Sequence, residues 1–242
     1  MKHWCSKSGK YKFKMKKALI TQSNYIPWKG FFDSIRATDV FVVYDDMQYT
    51  KRDWRNRNLI KTSQGSKWLS IPVEVKGKYF QRIRDTRIAD KSWAKSHWNL
   101  LKESYRTAEH FKEMEAWLAP LYLNCELDYL TDVNMLFINA INNFLKIKTQ
   151  ILFSSQFILH EDKTMRLVNI CKDIHATDYY SGPAAKVYME ENKFTGNGIN
   201  VHYWDYSGYP EYKQLYPPFE HGVSILDLIF NTGVEAEKFL KL

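Results

Sequence analysis

The chain has 242 residues, of which 45% are apolar and 16% aromatic, so it can bury the core of one domain or of two small ones. It has no run of about 18 apolar residues, which excludes a membrane-spanning helix, and no apolar secretory signal follows its basic N-terminus. Its three cysteines, Cys5, Cys125 and Cys171, are widely spaced without a CxxC pair. This spacing argues against a disulfide framework or a zinc site and favours a cytoplasmic protein.

The net charge of +8 is unevenly distributed along the chain. Residues 1–17 contain seven lysines and no acidic residue, and Met15 opens the segment MKKALITQ, which reads like the start of a first strand. We therefore expect residues 1–14 to be a basic tail that need not belong to the native protein. Residues 51–95 form a second basic segment, with 13 basic and four acidic residues. It predicts either a salt-bridged solvated face or a groove for a polyanion, such as a nucleotide pyrophosphate or an RNA backbone.

In chain order, the first predicted elements form a βαβ unit. Residues 17–22 are a short apolar run, residues 31–38 have the apolar spacing of a short helix, and residues 39–46 are β-branched and aromatic. Strand, helix and strand within about 30 residues predict two parallel strands joined by a right-handed crossover. Ligands collect at the carboxyl ends of such strands, so the loop after each strand is a candidate for the site.

The rest of the chain continues to alternate strands and helices. Residues 50–90 read as irregular β structure, with KWLSIPVEV as the clearest strand. The later predicted elements are helical segments at 92–118 and 121–144 around Pro120, a strand at 151–157, a helix at 164–177, a turn at 178–183, a short helix at 184–192, a strand at 199–207 and a terminal helix at 224–233 that ends at Gly233.

This alternation predicts an α/β fold with a parallel, Rossmann-like sheet and a helical insertion. Residues 15–90 and 149–242 are the predicted α/β core, and residues 91–148 are the predicted helical insertion or lid.

The loop between the first strand and the first helix, QSNYIPWKG (22–30), is the first candidate site. A loop that leads into a helix offers backbone N–H groups and the positive helix end to a phosphate. Pro27 stiffens this loop, Gly30 permits close approach, and two aromatic side chains can stack on a base or a sugar. The same residues also suit a rigid aromatic turn that only closes the sheet. The candidate binding residues here are Gln22, Asn24, Tyr25, Trp28, Lys29 and Gly30.

The segment after the second strand, DDMQYTKRDWRNRN (45–58), is the second candidate site, and we expect it to share one pocket with the first. Asp45 and Asp46 could hold a divalent metal, orient an amine or act as a general base, and on an extended chain at most one of them faces a ligand. Arginines clamp phosphate with paired hydrogen bonds, and asparagines bond sugar hydroxyls or base edges. The candidate binding residues here are Gln48, Arg52, Arg55, Asn56, Arg57 and Asn58.

Outside these two segments the chemical signals are weaker. The histidines lack HExxH or other close metal spacing, so no metal site is predicted, and His221 before the final helix is the one we select as a candidate catalytic group. Ser181 in DYYSG could approach a phosphate, although a plain turn explains it equally well. Ser154–Ser155 lacks the GxSxG elbow of serine hydrolases, and Cys171 lies in an apolar helical stripe typical of a core.

The motifs TQSNYIPWKGFF, DVFVVYDDMQYTKRDWRNRN, KWLSIPV, DYYSG and SILDLIFNTG resemble those of the WbqC-like protein family. The resemblance extends over nearly the whole chain from Met15. It implies a role around nucleotide-linked amino sugars in the synthesis of O-antigen, lipopolysaccharide and other surface glycans, such as the transfer of a glycyl or other aminoacyl group. It supplies no catalytic residues, so the roles given above rest on residue chemistry.

The opening of the chain is also similar to that of nucleotidylyltransferase-like enzymes, including pantothenate synthetase: a strand, a loop ending in glycine, a helix, and a strand followed by Gln48 and Tyr49. Those enzymes use the histidines of an HxGH signature to stabilise the transferring phosphate. The corresponding stretch, NYIPWKG, has no histidine, so an ATP-dependent adenylation step is not expected. Lys29 could replace part of that charge, and no cofactor is identified.

Three functions remain open on the sequence. The first is a transferase that acylates a nucleotide-linked amino sugar, with Asp46 or Asp45 as the base, the three arginines as a phosphate clamp, and Tyr25 with Trp28 as a stacking surface. The second is RNA-related, in which the basic segment binds an aminoacyl-tRNA that donates the acyl group. The third is a non-catalytic module that binds a sugar or a partner protein in a glycan pathway.

Overall fold

A computed structural model of the protein describes residues 15–241, so the predicted basic tail at residues 1–14 lies outside the described residues. This part of the chain contains seven strands: β1 (Lys17–Thr21), β2 (Val40–Val43), β3 (Arg57–Thr62), β4 (Gly65–Ser70), β5 (Gln150–Phe153), β6 (Asp178–Ser181) and β7 (Asn200–Tyr203). Five of them form one parallel sheet in the order β5-β2-β1-β6-β7. The predicted α/β class with a parallel, Rossmann-like sheet is confirmed.

Seven α-helices accompany the strands in the described residues: α1 (Lys29–Arg36), α2 (Trp93–Tyr105), α3 (Phe111–Leu123), α4 (Leu130–Phe144), α5 (Lys163–Asp173), α6 (Glu191–Thr195) and α7 (Ile225–Thr232). Short 3-10 helices occupy Ile83–Asp85, Ser154–Gln156, Pro183–Val187 and Gly233–Phe239. The terminal helix ends at Gly233 as predicted, where the backbone has a positive φ of 53°.

The strand order reverses direction at β1. The chain first adds β2 and β5 on one side of β1, and then crosses the sheet to add β6 and β7 on the other side. Right-handed crossovers therefore place the helices that follow β5 on the opposite face from those that follow β1 and β2. The point between β1 and β6 is the topological switch point of the sheet, where open α/β folds bind their ligands.

One face of the sheet is covered by the larger hydrophobic core. Leu19, Phe41 and Val43 point into this core, together with buried side chains from α1, α2, α3, α4 and α7. The opposite face is smaller: Ala18, Ile20 and Val42 pack against α5 and α6. All four residues of β2 are buried, as expected of an inner strand with helices on both sides.

The segment between β2 and α2 carries the antiparallel hairpin β3–β4, in which Leu59 pairs with Trp68. Its inner residues, Ile60 and Leu69, join the larger core, while most of β4 is exposed. The β-rich reading of residues 50–90 is therefore correct, but the hairpin does not extend the parallel sheet.

Several element predictions were wrong in detail. The predicted turn at 178–183 contains β6, because the turn signal of Gly182 and Pro183 applies only to the residues that follow the strand. The predicted strand at 151–157 ends at Phe153, where a 3-10 helix begins, and the predicted helix at 184–192 is divided between a 3-10 helix and the start of α6. The helical segments at 92–118 and 121–144 are three helices, not two, and Pro120 lies inside α3 rather than between helices. Ala108 and Cys125 remain buried in the connections, so the apolar spacing continues across both breaks.

The division into a core and a helical insertion at 91–148 stays a prediction. Helices α2, α3 and α4 contribute Leu101, Leu118 and Ile138 to the same hydrophobic cluster as the sheet residue Leu19.

Candidate functional site

The two loops that follow β1 and β2 are in contact at the carboxyl edge of the sheet. The backbone N–H of Tyr25 donates to the carbonyl of Trp54 at 3.1 Å. The Arg55 guanidinium donates from Nη2 to Gln22 Oε1 at 2.9 Å and from Nη1 to Asn24 Oδ1. The loop at 22–30 and the segment at 45–58 therefore form one structural unit.

Asn58 holds the first loop in an unusual backbone conformation. Ile26 has a φ of 37°, which is rare for a β-branched residue. The Asn58 Nδ2 donates to the carbonyls of Tyr25 at 3.2 Å and Ile26 at 3.0 Å, so the strained turn is fixed from the hairpin side. Strain of this kind persists only where the surroundings over-determine it, and it clusters at functional sites.

A cavity of about 390 Å³ opens between the two loops and the segment before α7. We call it the aromatic cavity, and its lining residues are Asn24, Pro27, Trp28, Trp54, Asn58, Tyr206, His221 and Gly222. The Trp28 and Tyr206 rings meet edge to face with centroids 5.2 Å apart. Rings of this kind offer apolar faces to the C–H surface of a sugar or to a base, while Asn24 supplies its amide N–H₂ group.

His221 supplies the imidazole in the wall of the aromatic cavity. Its ring is exposed and lies edge to face with the Phe219 ring, with the ring centroids 4.6 Å apart. The wall also contains Tyr206, and burial raises the pKa of its phenol.

Asp45 is buried and fully engaged by neighbouring donors. It accepts hydrogen bonds from the Ser23 N–H at 2.8 Å, the Ser23 hydroxyl at 2.6 Å and the Thr131 hydroxyl at 2.7 Å. Burial raises the pKa of Asp45, and these donors oppose the shift. Asp45 therefore links the end of β1 to α4, and no part of its carboxyl group lines the aromatic cavity.

Asp46 lies on a different cavity, of about 170 Å³, between the ends of β2 and β5. It accepts from the Ser154 hydroxyl at 2.6 Å and forms ion pairs with Arg84 at 3.0 Å and Arg82 at 3.5 Å. Asp45 also lines this cavity, but the two adjacent carboxylates have different partners, because Asp45 bonds Ser23 and Thr131 whereas Asp46 bonds Ser154 and the two arginines.

Tyr25 and Lys29, predicted to face a ligand, lie in the protein interior. Tyr25 is fully buried, and its hydroxyl bonds His97 Nδ1 at 2.9 Å and the Tyr122 hydroxyl at 3.1 Å. The Lys29 ammonium donates to the carbonyl of Pro210 at 2.7 Å, and burial lowers its pKa to about 8. The ring of Tyr25 is therefore inaccessible to a ligand. Its aromatic ring is buried in the core, and its hydroxyl is hydrogen-bonded inside the protein.

The three arginines predicted as a phosphate clamp do not converge on one point. Arg55 is bound to the amide oxygens of the first loop. Arg57 donates to the carbonyl of Arg52 and lies 4.0 Å above the Trp68 ring, while the Arg52 side chain is exposed. Arg55 and Arg57 therefore each have partners of their own, and the Arg52 side chain is solvated.

The remaining predicted residues have structural partners or lie elsewhere. Asn56 Nδ2 donates to the carbonyl of Ile71 at 2.8 Å, and Gln48 Nε2 donates to the carbonyl of Tyr79 at 2.9 Å. Gly30 lies beneath the Trp28 indole.

Gln22 and Ser181 line a third cavity, of about 470 Å³, at the ends of β1 and β6. We call it the switch-point cavity. Arg55 connects it to the aromatic cavity, because it bonds Gln22 in one and Asn24 in the other.

Trp54 in the aromatic cavity, and Lys163 and Arg166 in the switch-point cavity, were not among the predicted site residues. Tyr206, which also lines the aromatic cavity, follows the last strand of the sheet, where the rule that placed the first two loops at the site applies as well. Lys163 and Arg166 belong to no recognisable sequence motif. Only the strand order shows that they lie at the carboxyl edge of the sheet.

In residues 15–241, no group of three or more His, Cys, Asp or Glu side chains is arranged to hold a metal ion. Over the same residues, no helix combines the length and apolarity needed to cross a bilayer.

The sequence profile of the WbqC-like protein family matches residues 22–239, a range that includes both loops and every wall of the aromatic cavity. The chain belongs to the WbqC-like protein family. A relative named "Uncharacterized protein Rv1507c", from Mycobacterium tuberculosis (strain ATCC 25618 / H37Rv), is 51% identical over 227 residues, which cover 94% of this chain and 98% of the relative. No solved structure matches this member of the WbqC-like family.

Proposed function

We propose that the protein transfers an acyl group, such as glycyl or another aminoacyl group, to the amine of a nucleotide-linked amino sugar during surface-polysaccharide biosynthesis. Membership of the WbqC-like family supports the pathway. The observation that carries the proposal is the aromatic cavity, in which Trp28 and Trp54 can cover the sugar ring and His221 stands at the wall. The amide of Asn24 is held by Arg55, so its orientation toward a ligand is fixed in advance.

The proposed reaction places the sugar amine against His221. The amine nitrogen attacks the acyl carbon, the new N–C bond forms, and the bond from the acyl carbon to the leaving oxygen of the donor ester breaks. His221 takes the proton from the attacking nitrogen, and the leaving oxygen takes a proton as the donor alcohol departs. Among the predicted candidates we prefer His221 to Asp46, because Asp46 lines another cavity and is paired with Arg84.

The test is an acyl-transfer assay with dTDP- or GDP-linked 4-amino sugars and aminoacyl esters. Replacing His221 with Asn should lower kcat by roughly 10²-fold or more, while binding of the nucleotide sugar is retained. His175→Asn is the matched control, because His175 is also exposed and lies at the end of α5, away from both loops. Wild-type turnover in His221→Asn would remove the assignment, and Asp46→Asn then tests the other base.

The hairpin supports a second candidate, binding of the acceptor end of an aminoacyl-tRNA. Trp54 and Trp68 are exposed with ring centroids 5.3 Å apart, Arg57 lies over the Trp68 ring, and lysines are frequent around them. Exposed aromatic and cationic side chains together suit single-stranded nucleic acid. Binding of tRNA should then weaken steeply as salt rises, and salt-independent binding argues against this role.

The aromatic cavity also suits the third candidate, a module that binds a sugar without transforming it. That protein would bind the nucleotide sugar with wild-type affinity after His221→Asn and would give no acylated product with any donor. The same assay therefore separates an enzyme from a binding module.

A further inference from the structure

The switch-point cavity is built from elements that the proposed acyl transfer does not use. Its lining includes Gln22 at the end of β1, Ser181 and Gly182 at the end of β6, and Lys163 and Arg166 from the first turn of α5. Its volume of about 470 Å³ is in the range of small-molecule sites, roughly 300–1,000 Å³. Open α/β sheets bind ligands at this position.

The charge of the switch-point cavity is positive and uncompensated. Lys163 and Arg166 are its charged lining residues, and no carboxylate lines it. Neither cation has an ion-pair partner within residues 15–241. Two acidic neighbours, Asp162 and Glu190, are instead bound by Lys193 at 2.8 and 2.9 Å. The cavity is therefore arranged for an anion.

Arg166 is fixed in place by acceptors that do not cancel its charge. Its Nε donates to the carbonyl of His160 at 2.6 Å, its Nη2 donates to the carbonyl of Glu161 at 3.1 Å, and its Nη1 is 3.4 Å from the sulfur of Met47. A guanidinium has five N–H donors, and a fourth is engaged by the Tyr44 phenol, so one remains for a ligand. The fixed positive charge with one free donor favours a phosphate oxygen.

Neutral groups complete the cavity. A Cβ built on Gly182 would meet no heavy atom within 4 Å, so the backbone there is open to a ligand. The Gln22 Oε1 is occupied by Arg55, which leaves its amide N–H₂ without an acceptor among the described residues. At the rim, Tyr188 is 72% exposed and offers a ring face.

We propose that the switch-point cavity binds the diphosphate of a nucleotide, with Lys163 and Arg166 on the phosphate oxygens and Tyr188 against the base. This deepens the proposed function, because it assigns the nucleotide part of the substrate whose sugar occupies the aromatic cavity. The two parts meet at Arg55, which bonds the linings of both cavities.

Calorimetric titration of the full-length protein with ADP, UDP and inorganic pyrophosphate tests this assignment without any acyl donor. Lys163→Glu should raise the Kd for the nucleoside diphosphates about tenfold or more, because it replaces a charge-assisted hydrogen bond by repulsion. Lys172→Glu changes the net charge equally from the other end of α5 and should change the Kd by about twofold at most. Circular dichroism melting checks that both variants fold.

Pyrophosphate should bind more weakly than ADP or UDP and respond to Lys163→Glu in the same direction. Absence of nucleoside diphosphate binding at millimolar concentration, or equal effects of Lys163→Glu and Lys172→Glu, overturns the assignment. Trp28→Ala should leave ADP binding unchanged while it weakens binding of the nucleotide sugar. If ADP binds as expected but no donor gives acyl transfer, the proposed function fails and the nucleotide site stands.

Discussion

At the scale of single residues, the aromatic cavity depends on a glycine that does not line it. A Cβ at Gly30 would collide with Cζ2 of Trp28, whose indole also packs against Tyr206 and Tyr209. The absence of a side chain at Gly30 therefore lets the indole lie flat over the start of α1. The sequence predicts that Gly30 permits the close approach of a ligand. In the structure, the group that approaches Gly30 is the Trp28 indole.

Gly30→Ala is predicted to displace the Trp28 indole. The free energy of unfolding in urea should fall by about 1–3 kcal/mol, as for other overpacked sites, and binding of a nucleotide sugar should weaken. Gly182→Ala is the control for stability, because its added methyl group meets no atom. Equal unfolding midpoints for the two variants would contradict the packing argument.

His97 predicts a pH dependence of stability. Burial lowers its pKa to about 4, against an ordinary value of about 6.5, so between these values the unfolded chain binds a proton that the native state does not. Stability is therefore lost as the pH falls through this range, by about 2 kcal/mol between pH 7 and pH 5. Urea unfolding of wild type and His97→Gln should show a smaller loss in the variant, and equal losses would exclude His97 as the source.

At the scale of elements, the candidate site depends on how strand ends are tied to helices. Asp45 joins Ser23 at the end of β1 to Thr131 in α4 through three hydrogen bonds. The βαβ unit, the parallel pairing and the terminal helix were predictable, because apolar periodicity and helix-end signals are local. The distribution of hydrogen bonds between Asp45 and Asp46 was not predictable, because the partners Thr131 and Ser154 are distant in sequence.

Asp45→Asn is predicted to destabilise the fold by about 1–3 kcal/mol, because an amide nitrogen replaces an oxygen that accepts two hydroxyl bonds. Asp132→Asn is the matched control, since Asp132 is adjacent to Thr131 and has no hydrogen-bond partner within residues 15–241. Chemical unfolding followed by circular dichroism measures both. Full stability of Asp45→Asn would show that the carboxylate does not join the two elements.

At the scale of the whole molecule, the helices α2–α4 and the sheet share one hydrophobic cluster. A shared core predicts a single cooperative unfolding transition. Urea melts followed by tryptophan fluorescence and by far-ultraviolet circular dichroism should therefore coincide. Two separate transitions, with the helical signal lost first, would instead indicate that residues 91–148 act as an independent lid.

The sequence predicted which two loops meet but not which of their side chains face outward. Tyr25 and Arg55 are residue types that are common in binding sites. In the structure, however, Tyr25 is buried in the core and Arg55 is hydrogen-bonded to the first loop. Lys163 and Arg166 lie in α5, the helix that connects β5 to β6. Their position at the site follows from the strand order alone. A pattern within one segment cannot contain this information, since the strand order is set by tertiary packing.

The guanidinium of Arg55 has a further consequence for how two ligands influence each other. The guanidinium bonds Gln22 on one side and Asn24 on the other. A ligand that moves either side-chain amide therefore also changes the hydrogen bond of Arg55 to the other amide. Occupancy at one end should then change affinity at the other by a common factor, whichever ligand arrives first. Without this one cation, occupancy of either site should leave the affinity of the other unchanged.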